Sequence, residues 1–526
     1  MRPRDWSAAL ALPAVGGALA AAAAIAQAEL LAGATGTVSL VDAVGGLLIA
    51  LEPPGAKNVA VATFGDADKG ALEVAVVLVA IAIGALAGIA EARRPRAGAA
   101  ILALLGLAAG VAAARQPLVD VGTALVATGL ATGTCIALMR WLLGLAERGP
   151  APAARSSAAA APPALAGSGS AWDRRRFLIA SATVLGGATV GGAIGRRLVG
   201  GAHPEGVVTS TKLPAPLVRA LDPGADSTLG VPGLPPIVTP SSGLYRVDTA
   251  LEVPEVDVRL WRLEVVGMVD HPLSLTYDDI LAFPLYEQYV ALACVSNEVG
   301  GHLVGSPLWT GARLKDVLAE AGVHPGATQV MGRSWSDFSA GFPTAWAMAP
   351  EREPLIAVGM DRDVLPAAHG FPARLIVPGL YGYVSATKWL TQIELTTLEA
   401  KDGFWVPLGW AKEAPILTQS RIDVPSFAAR LAAGPATAAG VAWAGDRGVA
   451  SVELRVDGGP WQPARLSARL SAAAWVQWSA AWVATPGEHV LEVRATDTTG
   501  DVQTDEITRP SPDGAHGHHR ITVTVE

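Results

Sequence analysis

The sequence predicts three parts: an N-terminal transmembrane α-helical segment over residues 1–200, an α+β domain over 201–409, and a C-terminal immunoglobulin-like β-sandwich over 410–526. Long apolar runs rich in Ala, Gly, Leu and Val are concentrated in the first part. Short strand patterns mixed with an amphipathic helix follow, and after about residue 410 only strand patterns remain. A hydrophobic content of 51% is too high for an average soluble protein, which favours a membrane location for the first part.

Five apolar runs are each near the ~20 residues that a helix needs to cross a bilayer. They cover residues 7–31, 71–90, 98–114, 117–143 and 177–199. Arginines precede the first run, separate the second from the third, and follow the fourth, namely Arg2, Arg4, Arg93, Arg94, Arg96, Arg140, Arg148 and Arg155. Because cytoplasmic loops carry an excess of Lys and Arg, we expect the N-terminus in the cytoplasm and everything after residue 200 outside it.

A sixth apolar run, TVSLVDAVGGLLIAL at 37–51, is shorter, carries Asp42 and is followed by Pro53 and Pro54. If this run crossed the membrane, the arginine clusters would fall on the wrong sides. The run is therefore interpreted as interfacial or re-entrant on the outer face.

The fifth long run is preceded by ERGPAPAARSSAAAAPPALAGSGS, whose low complexity predicts a flexible cytoplasmic linker. The next stretch, WDRRRFLIASATVLGG, places Arg174 and Arg175 shortly before Phe177. This pattern resembles a twin-arginine export signal, which moves folded proteins across a membrane. The alternative is that these arginines are only a positive-inside anchor, and the residues leave both interpretations open.

Charge and composition exclude several functions. The net charge of −8 and the lack of a long basic run make a nucleic-acid partner improbable. The two cysteines, Cys135 and Cys294, offer no disulfide framework. All nine histidines lie from His203 onward, so the apolar helices cannot bind a haem through paired imidazoles, and no CxxCH motif occurs. No haem is expected, and a separate carrier must take or supply any electrons.

The second part begins with a Pro- and Gly-rich lead-in over about 200–245. The stretches WRLEVVG, YVALAC, QVMGRS and RLIVPG read as short strands. The stretch WTGARLKDVLAEAG predicts a helix with Thr310 as its N-cap and Gly322 as its C-cap, and its apolar face consists of Leu314, Val317, Leu318 and Ala321.

The third part alternates strands with turns, and Asp457-Gly458-Gly459 is a predicted turn between two strands. This spacing is typical of an immunoglobulin-like sandwich without its usual disulfide.

Cys294 stands at the end of an apolar strand pattern, just before a glycine-broken loop, in YVALACVSNEVGGHLVG. It has three interpretations: a small buried hydrophobe, a nucleophile with a histidine base such as His302, or a thiolate ligand to a metal. The third is favoured because neighbouring glycines permit the close approach of a large cofactor.

Four separated stretches, in this order, resemble the sulfite oxidase family of molybdopterin-dependent oxidoreductases: LYRVDTALEVPEVDVRLWRLEVVG, YVALACVSNEVGGHLVGSPLWTGARLKDVL, HGFPARLIVPGLYGYVSATKWL and DGFWVPLGWAKEAPILTQSRIDVP. The resemblance covers about 238–526, including a sandwich similar to the molybdenum-cofactor dimerisation domain of that family. It implies an enzyme of the bacterial plasma membrane with a molybdenum–molybdopterin cofactor and a small-molecule substrate. A cytochrome or a quinone-linked protein would carry the electrons, and a homodimer through the sandwich is left open.

The resemblance also implies roles for individual residues. Cys294 matches the cysteine that binds molybdenum. The cofactor-binding positions it matches are Tyr245, Arg246, Ser334, His369, Arg374, Ala386, Thr387 and Lys388, with the last six near the pterin or its phosphate. The expected lining of the substrate pocket is Arg246, Trp309 and Trp405, although Trp309 suits a core position equally well.

One departure from the family pattern concerns the substrate. Sulfite-oxidising members carry an arginine-bearing stretch after the cysteine, whereas this chain continues Val295-Ser296-Asn297-Glu298. A carboxylate there would repel a dianion, which leaves a neutral sulfoxide open as an alternative to sulfite. The rival from another class is a non-enzymatic, membrane-anchored binding protein on a degenerate scaffold, which should have lost some of the matching residues.

Two further motifs have simple interpretations. The cluster His516-Gly517-His518-His519 is interpreted as a solvated loop, since it lacks paired carboxylates or cysteines. Asp361-Arg362-Asp363 is interpreted as a turn rather than a calcium loop.

Overall fold

A computed structural model describes residues 3–35, 39–51, 63, 68–114, 121–147, 169–201, 212–250, 253–254, 256–336 and 338–526. Most of the predicted linker, and Arg2, Arg148 and Arg155, lie outside these residues. The chain forms two compact units, the first built mainly by the helices before residue 206 and the second by residues 207–248 and 253–526. The second unit contains both the α+β fold and the sandwich.

The first unit consists of helices in its described part. Their bounds are α1 (Pro3–Thr35), α2 (Leu40–Leu51), α3 (Asp68–Arg93), α4 (Ala97–Ala114), α5 (Val121–Glu147) and α6 (Gly169–Gly201). Five of them contain segments long and apolar enough to cross a membrane, namely Leu10–Ala34, Gly70–Arg93, Ala97–Ala114, Val121–Leu145 and Arg175–Arg197. These segments confirm the five predicted helical runs. Helix α2 has 12 residues, so its length of about 18 Å is less than the ~30 Å of a hydrocarbon core.

Small residues explain how these helices pack. A Cβ atom on Gly17 of α1 would lie 2.0 Å from the carbonyl oxygen of Gly84 in α3, and one on Gly88 would lie 2.1 Å from that of Pro13. Only glycine permits backbones to approach this closely, as is common between helices in membranes. The Ala- and Gly-rich composition therefore allows the backbones of α1 and α3 to pack closely together.

The α+β fold of the second unit contains two five-stranded sheets and a short ribbon. The first sheet has the order β2-β1-β12-β7-β8, and the second has β10-β9-β6-β3, with β11 paired to β9. The strands are β1 (Leu263–Gly267), β2 (Leu273–Leu275), β3 (Leu285–Tyr289), β4 (Leu292–Ala293), β5 (Val304–Gly305), β6 (Leu308–Arg313), β7 (Gln329–Ser334), β8 (Ser339–Pro343), β9 (Leu355–Met360), β10 (Asp363–Val364), β11 (Arg374–Ile376) and β12 (Leu390–Thr396). The helices are α7 (Tyr277–Ala282), α8 (Leu314–Ala321), α9 (Thr344–Met348) and α10 (Gly382–Ser385).

Helix α8 follows its predicted pattern except at its start. All four residues of the predicted apolar face are buried, and Gly322 ends the helix in the left-handed conformation with φ +68°. The predicted N-cap, Thr310, is wrong because that residue pairs within β6, and Arg313 directly precedes the helix. Strand β6 continues to Arg313 and the helix begins at Leu314, so a residue as early as Thr310 lies within the strand and cannot cap the helix.

The C-terminal strands form two sheets over one core. The orders are β13-β15-β19-β18 and β14-β21-β20-β16-β17. The strands are β13 (Gln419–Val424), β14 (Arg430–Leu431), β15 (Gly434–Trp443), β16 (Val449–Val456), β17 (Gln462–Pro463), β18 (Arg465–Leu466), β19 (Val476–Ala484), β20 (Gly487–Asp497) and β21 (His519–Val525). The predicted turn is confirmed between β16 and β17, where Asp457 and Gly458 have φ +51° and +70°. The two-sheet architecture is confirmed, and the immunoglobulin-like subtype stays a prediction.

The lead-in has little regular structure in its described part, but its end is fixed by both folds. The Trp475 indole N–H donates to the Ile237 carbonyl at 2.7 Å, and the Gln477 side chain donates to the Pro235 carbonyl at 2.7 Å. The Thr239 N–H donates to the Ser306 carbonyl at 3.0 Å, and the Ser306 N–H donates to the Thr239 hydroxyl at 2.9 Å. These contacts hold the segment that carries Tyr245 and Arg246.

Candidate active site

Cys294 is held at the end of a short antiparallel ribbon, directly after β4. Its backbone N–H donates to the Leu303 carbonyl at 2.9 Å, and its carbonyl accepts from the Asn297 N–H at 3.1 Å. The Asn297 side-chain oxygen accepts from the Leu303 N–H at 2.8 Å and so closes the loop between these strands. The loop fixes the position of the cysteine backbone.

The Cys294 thiol interacts with two tyrosines. Ala293 and Val295 on either side pack into the main core, whereas Cys294 interacts electrostatically with Tyr245 and Tyr381. Burial raises the pKa of both tyrosines, and the nearby thiol raises each pKa further. The thiol thus lies among phenol groups, which fits a ligand position better than an aliphatic core position.

Cationic side chains gather around His369. The His369 ring Nε2 lies 2.7 Å from the Ser241 carbonyl. Burial lowers the pKa of His369 to about 4, and the neighbouring cations Arg374, Lys388 and Arg246 lower it further. The imidazole is therefore neutral at pH 7, so the positive charge at this place belongs to the arginines and the lysine.

Arg374, the first residue of β11, is 2% exposed. Its Nη1 donates to the His369 carbonyl at 3.0 Å and its Nη2 to the Ala386 carbonyl at 3.3 Å. Its Nε has no hydrogen-bond partner, and no carboxylate lies within 4 Å of its guanidinium among the residues that the structure describes. Burial lowers the pKa of Arg374 to about 10, which still leaves it charged. A buried cation with an open donor suits an anionic ligand.

Lys388 has a different environment from Arg374. Its Nζ donates to the Asp248 carboxylate at 2.7 Å and to the Ala368 carbonyl at 3.3 Å. Gly370 leaves room for the Lys388 side chain. It has φ +111°, and a Cβ atom on it would lie 2.9 Å from the Lys388 Cβ. Only glycine suits both the backbone conformation and the close approach.

Three other predicted cofactor positions lie near this cluster. The Ala386 carbonyl accepts from Arg374, and the Thr387 carbonyl accepts from the Leu375 N–H at 3.0 Å. The Thr387 hydroxyl is directed at Gly332 of β7, where a Cβ would lie 2.7 Å from it. Ser334, at the end of β7, is buried, and its hydroxyl lies 3.0 Å from that of Ser336.

The two tryptophans predicted to line the pocket differ. Trp309 has no exposed surface, its indole N–H donates to the Val290 carbonyl at 3.1 Å, and its ring centre lies 5.0 Å from the Arg374 guanidinium carbon. The structure thus places Trp309 in the core, where it supports Arg374 through a cation–π contact. Trp405 is half-buried and packs edge-on against Phe404 at 5.1 Å between ring centres.

Sequence reasoning missed contributions from the sandwich. Arg421 of β13 donates to the Gly301 carbonyl at 2.7 Å, and a Cβ on Gly300 would lie 2.3 Å from the His519 ring. The loop after Cys294 is therefore clamped by residues more than a hundred positions away. His302 interacts with Arg421 and Asp423, and burial lowers its pKa. These partners give no support to His302 as a base for Cys294.

Tyr381 was also missed, although it lies within a motif that carries the family resemblance. Besides its interaction with Cys294, its hydroxyl lies close to Gly514 of the sandwich, where a Cβ would come within 2.7 Å. The sequence signal that could have indicated Tyr381 is its position two residues after the Pro378-Gly379 turn.

The interpretation of the histidine cluster as a solvated loop was wrong. His518 is buried, with one ring nitrogen 2.8 Å from Glu492 and the other 2.9 Å from the Gln503 carbonyl. Burial lowers the pKa of His519 to about 4. His519 is the first residue of β21, which pairs with β20, and its ring accepts from the Ile422 N–H of β13 at 3.0 Å. The turn at Asp361 and Arg362 is confirmed, because both have positive φ between β9 and β10.

The donor set fits a molybdenum–molybdopterin cofactor. Cys294 could offer a soft sulfur ligand, and Arg246, Arg374 and Lys388, which all lie near His369, could offer cations for a phosphate. The unpaired Nε of Arg374 is the buried polar atom that such a ligand would satisfy.

Comparisons with known proteins agree with this fit. Residues 250–405 match the family described as oxidoreductase molybdopterin binding domain. Human mitochondrial sulfite oxidase is 31% identical over 376 residues, which cover 59% of this chain and 67% of that protein. The chain belongs to the sulfite oxidase family. It is a molybdenum-dependent oxidoreductase of sulfite oxidase type.

Other members of the family match smaller shares. Mouse sulfite oxidase is 31% identical over a match that covers 56% of this chain and 65% of the mouse protein. Rice nitrate reductase [NADH] 1 is 31% identical over a match that covers 31% of this chain and 20% of the rice protein. The chain thus spans about two thirds of the sulfite oxidases it matches. The solved sulfane dehydrogenase SoxCD from Paracoccus pantotrophus covers 62% of this chain and 94% of its own, with 23% identity and a TM-score of 0.49.

Proposed function

We propose that this oxidoreductase is anchored in the bacterial plasma membrane and works outside the cytoplasm, where it transfers an oxygen atom to or from a small sulfur-containing or similar oxo substrate. The five apolar helices and the arginines that flank them support the anchoring and the orientation. The observation that carries the chemistry is that Tyr245 interacts both with the Cys294 thiol and with the buried Arg374 guanidinium, which has an open donor.

The residues of the site take separate roles in this proposal. Cys294 ligates molybdenum, and Arg246, Arg374 and Lys388 neutralise the phosphate of the pterin. Neutral His369, Tyr245, Ser334 and the backbone at Ala386 and Thr387 orient the pterin by hydrogen bonds. When bound, the cofactor supplies the two-electron redox chemistry. Trp309 keeps Arg374 in position from the core, and Arg246 and Trp405 line the substrate pocket.

The substrate is either sulfite or a sulfoxide. Glu298 is exposed, so its carboxylate is surrounded by solvent rather than enclosed with the thiol. The cation nearest the loop after Cys294 is Arg421, which is paired with Asp423 at 2.8 Å. A neutral sulfoxide needs no free cation there, whereas sulfite would depend on Arg246.

A non-enzymatic binding protein on a degenerate scaffold is not favoured. Such a scaffold has no reason to retain a cysteine, a neutral histidine and two buried cations in one place. Here Cys294, His369, Arg374 and Lys388 are all present, and their electrostatic interactions link them through Tyr245.

The test uses the full-length protein loaded with cofactor in cells that synthesise it. We expect about one molybdenum atom per chain by elemental analysis. Sulfite with an artificial electron acceptor and methionine sulfoxide with a reduced viologen then distinguish the two reactions. Cys294→Ser should abolish turnover while the thermal unfolding of the protein stays the same. Retained turnover in that variant would refute the ligand assignment.

Two finer parts of the proposal need their own measurements. Fusion of a reporter enzyme after residue 200 distinguishes an extracytoplasmic from a cytoplasmic second unit, and Arg174→Lys with Arg175→Lys tests the export signal. Light scattering of the protein in detergent tests whether the sandwich, proposed as immunoglobulin-like, pairs two copies. A cytochrome or quinone-linked partner remains the proposed electron carrier.

A further inference from the structure

The first unit contains a cavity of about 360 Å³ between five of its helices. Side chains such as Ala24, Val41, Ala80 and Leu105 make its lining overwhelmingly aliphatic. Its volume falls in the range of ~300–1,000 Å³ that is usual for small-molecule sites. The cavity therefore suits a lipophilic ligand.

One carboxyl group, that of Glu29 on α1, also lines the cavity. Glu29 is 2% exposed. Its Oε1 accepts from the Ser39 hydroxyl at 2.7 Å, but its Oε2 has no hydrogen-bond partner among the residues that the structure describes. Arg196 Nη1 is 3.7 Å from that oxygen, beyond hydrogen-bond distance. An ionisable group at membrane depth with an open oxygen indicates a site rather than packing.

Glu29 is the innermost member of a series of acidic groups. Arg196 of α6 lies close to Glu29, Asp42 and Glu73, whose side chains are 3%, 12% and 18% exposed. Of the three, only Glu29 lines the cavity, and it is the least exposed. Acidic groups within apolar helices commonly mark sites for ligands or protons.

These observations select the ligand. A lipid acyl chain would fill the apolar volume but would leave Glu29 Oε2 without a partner. A redox carrier with hydroxyl or carbonyl oxygens on an apolar molecule uses both features. The first 200 residues contain no histidine, which excludes a haem held by paired imidazoles there.

We propose that this cavity binds the head group of a membrane quinone or quinol, with Glu29 Oε2 as its hydrogen-bond partner. The choice of a redox carrier rests on the proposed function, because an oxidoreductase in a membrane must exchange electrons with a carrier, and a quinone or quinol is the apolar carrier that suits an aliphatic cavity. Binding itself depends only on the first unit.

The experiment measures quinol binding by the full-length protein in quinone-free phospholipid nanodiscs. Decylubiquinol is the probe because its hydroxyl groups can donate to Glu29 Oε2, and calorimetric titration without oxygen gives affinity and stoichiometry. We expect one saturable site per chain. Ala80→Phe, which fills the cavity from α3, should weaken binding roughly 10-fold or more, equivalent to about 1.4 kcal/mol. Glu29→Gln should weaken it to a similar extent.

The matched control is Leu78→Phe on the same helix, where Leu78 is 61% exposed and lies outside the cavity lining. It should bind like the wild type. If Ala80→Phe and Glu29→Gln both bind like the wild type while their helix content by circular dichroism is unchanged, the proposal is overturned. Uptake proportional to lipid in every variant would overturn it equally.

A further variant separates this inference from the proposed function. Cys294→Ser, which removes the metal ligand, should bind decylubiquinol with wild-type affinity. If the wild type lacks oxygen-atom transfer but shows the site, the proposed function fails and the quinone site stands. If turnover is present but the binding site is absent, the proposed function stands and the quinone site fails.

Discussion

The two units of the molecule each contain an arginine with several polar partners, partly buried Arg196 and fully buried Arg374, and the charges of the two arginines are balanced in opposite ways. Arg196 in the first unit has three carboxylates within reach, at 3.7 Å for Glu29, 3.3 Å for Asp42 and closer for Glu73. Arg374 in the second unit donates only to carbonyls and keeps an open Nε. A cation whose charge is balanced within the fold stabilises the fold, whereas one left unbalanced is held ready for an anion from outside.

The largest expected effect is on cofactor retention. Arg374→Met should lower the molybdenum content of the purified protein roughly 10-fold or more, because a phosphate would lose its buried charged donor. The same change should leave the cofactor-free protein as stable as the wild type, or more stable by about 1–4 kcal/mol, since an unpaired buried charge is removed. Elemental analysis and thermal unfolding measure the two effects.

A matched control comes from Arg352, which pairs with Asp446 at 2.6 Å and stacks on Trp346. Arg352→Met should destabilise the protein and leave the molybdenum content per folded chain unchanged. A drop in molybdenum content equal to that of Arg374→Met would contradict the distinction between the two kinds of arginine.

The next largest effect concerns Arg196. Arg196→Met should lower the stability of the full-length protein in detergent by about 2 kcal/mol, because it leaves three carboxylates near one another without their guanidinium. The sign is opposite to that expected for Arg374→Met in the cofactor-free protein. Thermal unfolding of both variants side by side gives the comparison, and equal shifts in the same direction would break it.

Acidification tests a third buried ionic group, that of Glu492 in β20. Burial alone would raise its pKa, but hydrogen bonds from Arg455, Arg520 and His518 outweigh burial and lower the pKa to about 2. Because the folded pKa lies below the unfolded value of 4.5, this contribution to stability is present above pH 4.5 and is lost as the pH falls toward 2. Glu492→Gln should therefore cost about 1–3 kcal/mol at pH 7 and almost nothing near pH 2.

The control for this pH dependence is Glu488→Gln on the same strand, where the side chain is exposed. Its unfolding curves should coincide with those of the wild type at both pH values. A cost for Glu492→Gln that does not change between pH 7 and pH 2 would show that packing, rather than charge, is responsible.

The smallest expected effect is at Gly370, next to Lys388. Gly370→Ala should cost about 1–3 kcal/mol, because the residue has φ +111° and the new methyl would meet the Lys388 side chain. Gly458→Ala is the matched control, since Gly458 also has positive φ but has open space around it. The difference between the two unfolding free energies reports the contact with Lys388 together with the greater backbone strain at φ +111° than at φ +70°.

Much of the fold could be predicted from the sequence because its signals are local. Apolar runs of about 20 residues predict helices, and the spacing of Leu314, Val317 and Leu318 predicts the buried face of α8. The N-cap at Thr310 failed because pairing with β3 and β9 keeps that residue in a strand. The interpretation of His518 as solvated failed because its partners, the Glu492 carboxylate and the Gln503 carbonyl, are distant in sequence and leave no local signal.

The sequence by itself determined the five apolar helices, the order of the motifs and the presence of the cysteine and the cationic residues, because each depends on neighbours along the chain. Only the tertiary structure decided that Arg374 keeps an open donor, that Trp309 supports it from the core, and that Arg421 of the sandwich clamps the loop after Cys294. Burial and partner choice depend on residues far apart in sequence, and these come together only when the chain folds.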